Sequence, residues 1–213
     1  MFGHDEYYIS FLGKPSASDP WMIQFGGHHL GINITLVGDH ETLAPSHTAA
    51  QPAIYELEGK TIRPLGRETD KSFALLNSLD EAQRKQAILG AKMHDLVLGP
   101  GRDGQKIAPE GIKGSALDDK QRALLLDVAG EWTGIQNEVV AKSKMDEMKQ
   151  NIGETWFAWS GPTDKPGTAY FRIQGPTVVI EYAPQSLGGD VTKHIHTIYR
   201  DPTNDYGVKW SKP

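Results

Sequence analysis

The chain has 213 residues, 38% of them hydrophobic, and a formal net charge of -5. That length can bury a substantial core, and an acidic balance without a long basic run offers neither a nucleic-acid footprint nor a basic patch for a membrane surface. Cysteine is absent, which excludes disulfides, thiolate metal sites and cysteine nucleophiles and leaves the redox compartment open.

The patterning predicts one domain over residues 1–213 in three blocks: β-rich over 7–65, helical over 68–151 and β-rich again over 155–213. No apolar run approaches the length of a membrane span. The opening Met1-Phe2-Gly3-His4-Asp5-Glu6 does not read as a signal peptide, and localisation is otherwise unmarked. Tyr7 to Leu12 is a short apolar run closed by Gly13-Lys14-Pro15. Trp21 to Phe25 is a second run, broken by Gly26-Gly27. His29 to Val37 alternates, with Leu30, Ile32, Ile34 and Leu36 on one side, as in a half-buried strand. Ile54–Leu57 and Thr61–Leu65 flank Glu58-Gly59-Lys60 as a hairpin.

The middle block opens with Phe73, Leu75, Leu76 and Leu79. Ser78-Leu79-Asp80-Glu81 reads as a capping box for a helix carrying Ala87, Ile88, Ala91 and Leu96. A second helix is expected from Asp118, with Leu124, Leu125, Leu126 and Val128. Glu131 to Gln150 is expected to continue as a charged amphipathic helix. Between the helices lies a polar loop, Gly99 to Ser115. Its Gly99-Pro100-Gly101-Arg102-Asp103-Gly104 fits G-x-G-x-x-G literally, but it follows a helix and contains proline, so it is not a dinucleotide site.

In the last block Trp156–Trp159, Ala169–Gln174, Thr177–Tyr182 and Lys193–Arg200 are strand candidates. Strands, then helices, then strands predict an α+β protein: an antiparallel sheet or sandwich built from both ends of the chain, with a helical insertion over about 68–151.

Candidate chemistry concentrates in two histidine pairs. On a strand, His194 and His196 project to the same side. His28 and His29, beside another strand-like run, supply a second pair. Metal ligation needs imidazoles that converge from rigid elements, so His194, His196 and one of His28 and His29 form a candidate three-histidine metal site, with Glu181 as a candidate fourth ligand or, alternatively, the group that manages a proton. Without sulfur, zinc, copper, iron and manganese all remain candidates. Arg200, Asp201 and Asp205 follow directly; either carboxylate is a candidate to orient an imidazole or to act as a general base. The plainer alternative is a hydrogen-bonded strand followed by ordinary Asp-Pro and Asn-Asp-Tyr-Gly turns. His40, Glu41 and His47 fall in a proline-bearing loop and read as surface. His94 falls in the helical block and reads as unrelated.

At these motifs the chain resembles a domain-of-unknown-function family, number 3500. Tyr7-Tyr8 through Gly13, Trp21, Gly27-His28-His29-Leu30 and Asn33 are similar to its opening region. Trp156-Phe157-Ala158-Trp159, Gly175-Pro176, Ile180-Glu181-Tyr182 and the run His194–Gly207 resemble its closing signature. The resemblance implies that the histidines belong to a recurring pattern, but it supplies no reaction. It also implies longer members, so this chain is expected to be a short or an excised one.

Three functions stay open on the sequence. The first is a metal-dependent enzyme, hydrolytic by preference and a copper- or iron-dependent oxidoreductase as the alternative. The second is a non-catalytic β module that binds metal or a small ligand. The third is a structural domain whose histidines form a polar network. Substrate and oligomeric state are not legible.

Overall fold

The computed structural model describes residues 5–164, 167–185 and 189–210; of the opening hexapeptide, Met1 to His4 lie outside them. The first block holds β1 (Tyr8–Leu12), β2 (Trp21–Gly26), β3 (Leu30–Val37), β4 (His40–Thr42), β5 (Ser46–Ala50) and a separate hairpin of β6 (Tyr55–Leu57) and β7 (Lys60–Ile62). The middle holds α1 (Gly66–Ser78), α2 (Glu81–Ala87), the two-residue β8 (Ile112–Lys113), α3 (Asp119–Thr133) and α4 (Glu138–Gln150). The last block holds β9 (Trp156–Ser160), β10 (Tyr170–Gly175), β11 (Val178–Pro184) and β12 (Ile195–Arg200).

Ten strands form one sheet in the order β1-β2-β3-β5-β12-β11-β10-β9-β8, with β4 beside β3 and every strand pair antiparallel. The fold is therefore α+β, with the sheet drawn from both ends of the chain and the helices inserted between. The two ends meet where β5 pairs β12, in register Thr48 opposite Thr197, whose hydroxyls lie 2.7 Å apart.

Alternation gives the sheet two different faces. One is apolar: Phe157, Trp159, Phe171, Ile173, Ile180 and Tyr182 pack there beneath α1 and α3. Those helices bury stripes at helical spacing, Thr69–Ser72–Phe73–Leu76 and Leu125–Val128–Ala129–Trp132. Stacked rings tie the strands across this layer, with Phe171 5.0 Å from Tyr182 and 6.3 Å from Trp159 between centroids. Each large side chain buried this way contributes about 1.5–3 kcal/mol relative to exposure.

The opposite face is polar and carries Tyr170, Arg172, Gln174, Glu181 and Arg200, all buried. The long connection of residues 88–111 covers it. Glu181 accepts from the backbone N–H of Val97 (2.6 Å) and Leu98 (2.7 Å) and from the Tyr170 hydroxyl (2.8 Å). Arg200 donates to the carbonyls of Leu98 and Gly99 and pairs with Asp103 and Asp205; Arg172 pairs with Glu110. These charges are buried because the strap has no regular structure, and its backbone groups must find partners somewhere.

The helical block departs from expectation at two boundaries. The capping box is Asp80 with Gln83, two residues beyond Ser78 and Glu81, and its helix stops at Ala87, so Ala91 and Leu96 belong to the strap. The amide of Leu89 donates to the carbonyl of Trp159 instead, so sheet pairing takes over from the helix. Glu131 to Gln150 is not continuous: α3 ends at Thr133, and Asn137 caps α4 by accepting from the Val140 amide.

Candidate metal centre

The site lies on the polar face where β3, β5 and β12 run side by side. His29 sits in the turn between β2 and β3. Its carbonyl accepts from the Ala49 amide (2.9 Å), which fastens the turn to β5. Gly26, at the start of the turn, is required by close approach: a Cβ there would lie 2.8 Å from the Leu30 carbonyl oxygen. His194 precedes β12 in extended backbone, and its carbonyl accepts from the Gln185 amide (2.7 Å). His196 is the second residue of β12, so the two side chains project together as the alternation predicts.

His29, His194 and His196 form a group whose ligand nitrogens all lie within 4.8 Å of one another. The Nε2 atom of His194 is 3.0 Å from Nε2 of His196 and 3.2 Å from Nε2 of His29. Two nitrogens bound tetrahedrally at about 2.0–2.1 Å stand about 3.3 Å apart, so the spacing suits one small cation. An imidazole nitrogen carries either one proton or one lone pair. Hydrogen bonding can thus satisfy His194 Nε2 toward only one of its two neighbours, whereas a cation at the centre takes a lone pair from all three. The donor set therefore fits a divalent transition metal.

Burial and neighbouring rings keep His29 and His196 neutral. Burial, then the nearby His28, His194 and His47, push His29 down to about 4. Burial, then His47 and His194, push His196 down to about 4 despite the opposing carboxylate of Asp95. Neutral imidazole is the form that binds metal.

Two further rings flank the group. His28 is exposed, its ring centroid 4.2 Å from that of His29. His47, on β5, lies 5.3 Å from His196 edge-on, and its Nδ1 is 2.8 Å from the Thr197 carbonyl. A bond from Nδ1–H to that carbonyl puts the lone pair of His47 on Nε2. Asp95, on the strap, brings Oδ1 to 3.9 Å from His196 Nδ1 and accepts from Gln185 Nε2 at 2.9 Å.

The carboxylates and arginine singled out from the sequence have other partners. Both oxygens of Glu181 and the whole Arg200 guanidinium hold the strap. Asp201 accepts from Lys144 Nζ (2.6 Å) and from the Thr203 amide and hydroxyl. Asp205 accepts from Arg200 and from the Asp201 amide, and burial pushes its carboxyl up. The structure does not bring these four to the histidines. His47 and Asp95 stand beside them instead, and sequence reasoning passed over both. Ser46–Ala50 has no apolar alternation to mark it as a strand, and Asp95 sits in a loop that only tertiary contacts position.

The family model described as "Protein of unknown function (DUF3500)" matches residues 2–208. The chain belongs to this family. No curated protein and no solved structure matches it significantly. Among the described residues of this family member, no helix is long and apolar enough to cross a membrane.

Proposed function

We propose that the chain is a metal-dependent enzyme in which His29, His194 and His196 hold one divalent transition metal, and that its chemistry is hydrolytic. The observation that carries this reading is the pair of Nε2 separations at His194, 3.0 and 3.2 Å. Three protein nitrogens leave a tetrahedral ion one open position, the hallmark of catalytic rather than structural sites. A bound zinc ion would supply Lewis acidity there. Asp95 is the carboxylate suited to orient His196, standing 3.9 Å from its Nδ1. Gln185 and the Leu96 amide, both donating to Oδ1, hold it in place. Drawn in by about 1 Å, the same Oδ1 would come within hydrogen-bond reach of His196 Nδ1–H and keep the lone pair on Nε2.

Elemental analysis of protein purified without a nickel column tests the first half. The expected result is about one metal equivalent per chain, lost in His194→Ala and in His29→Ala at unchanged circular dichroism. Absence of metal, with no binding when zinc, copper, iron and manganese are each offered, would overturn it. The second half is tested with p-nitrophenyl acetate. Asp95→Asn should lower hydrolysis by the zinc-loaded protein by about 100-fold at unchanged metal content. Copper or iron as the native metal moves the chemistry to oxidation. The flanking rings of His28 and His47 favour one other reading: coordination by four imidazoles, seen by X-ray absorption, would make this a non-catalytic metal-binding module.

A further inference from the structure

The sheet ends at β1 on an edge that nothing among the described residues covers. All five residues of Tyr8-Ile9-Ser10-Phe11-Leu12 are exposed, at 71% for Tyr8, 61% for Ile9, 58% for Phe11 and 45% for Leu12. Edge strands are normally protected by charge, proline, a bulge or brevity. The opposite edge, β8, is two residues long, whereas β1 has neither charge nor proline. Among the described residues no strand pairs with its outer side.

The neighbouring surface is apolar too. Ile9 pairs Phe25 and Phe11 pairs Ile23, and these continue through Ile32 and Ile34 on the side of the sheet that α1 and α3 cover farther along. The helical layer does not extend over these strands, so the apolar face runs out into solvent, with Phe25 41% exposed.

We infer that β1 is a self-pairing edge, and that two copies of the chain join antiparallel about a two-fold axis at Ser10, continuing the sheet from one copy into the other. The strand is self-complementary in that register. Tyr8 falls opposite Leu12 of the second copy and Ile9 opposite Phe11, apolar on apolar on both faces. A shift by one residue would lose all of these pairings. The exposed fractions of Tyr7, Tyr8, Ile9, Phe11, Leu12 and Phe25, on side chains of about 200 Å² each, leave roughly 650 Å² per copy; a standard interface takes about 800 Å² per partner. The interface is thus at the small end of the range, so the dimer is expected to form at tens of micromolar rather than at nanomolar concentrations. The pairing is isologous and closes at two copies.

Sedimentation velocity at tens of micromolar tests this without reference to metal. The wild type should run as a dimer. Ile9→Lys and Phe11→Glu should each run as a monomer with unchanged circular dichroism, because a charge then faces an apolar side chain across the axis. Mixing these two variants should restore a dimer, since Lys at position 9 faces Glu at position 11 of the other copy while Phe11 faces Ile9. A monomeric wild type would overturn the proposal, and so would single variants that stay dimeric. Folded variants that fail to pair on mixing would overturn the register and point to a foreign strand as the occupant.

Discussion

His194 ties the site to the sheet through its carbonyl and brings one ring nitrogen within 3.0 and 3.2 Å of two other imidazoles. Its neighbours have a consequence for metal-free protein. His29 and His196 sit near 4 in the fold and at the ordinary 6.5 when unfolded. Between these values the unfolded chain binds more protons, so this contribution to stability is complete above pH 6.5 and is lost as pH falls toward 4. Thermal melts of metal-free protein should therefore drop across that window. The double variant His29→Ala/His196→Ala should show a flatter profile there, and an equal slope in both proteins would contradict the assignment. A single glycine plays a comparable local role at the other end of β3: Gly207 has φ +72°, and a Cβ on it would lie 2.5 Å from Thr35 Cγ2. That contact explains why Thr35 is buried although it lies opposite the strand's apolar row.

At the scale of elements, the strap of residues 88–111 and the polar face of the sheet depend on one another. The strap brings Asp95 to the histidines, and Glu181 anchors it two residues farther on. Glu181→Gln keeps the shape but turns an amide donor toward backbone N–H donors. It should cost about 3 kcal/mol in urea unfolding. Hydrogen exchange should quicken at Val97 and Leu98 while amides in β10 stay protected. Loss of protection everywhere would mean that the strap and sheet open only together. Tyr170 belongs to the same unit: burial, then the Glu181 charge, raises its hydroxyl well above the usual range, so it remains a donor to that carboxylate.

Across the whole molecule, Phe171 joins the layers, touching Trp132 of α3 and the rings of Phe157, Trp159 and Tyr182 in the sheet. Phe171→Ala should lower stability by about 3–5 kcal/mol in denaturant unfolding. A cost below about 1 kcal/mol would mean that the layers pack independently. How much of this was legible beforehand follows from the range of the interactions. Strand alternation and helical stripes are local, so the three blocks, the α+β class and the projection of His194 with His196 could be read from spacing alone. The Asp80 cap lay two residues from the expected one because two overlapping boxes compete there and packing against α3 chooses between them, with Gln83 bonded to Gln121. His29 joined the site through an amide on β5, twenty residues away in sequence, and no spacing rule reports such a bond. Glu181 and Arg200 have the composition of site residues, but burial under a loop gave them backbone groups to satisfy. The sequence by itself determined that two histidine pairs lie beside strands and that His194 and His196 project together. Only the tertiary structure decided which of them meet, because long-range strand order and the partners of buried charges depend on contacts between residues far apart in the chain.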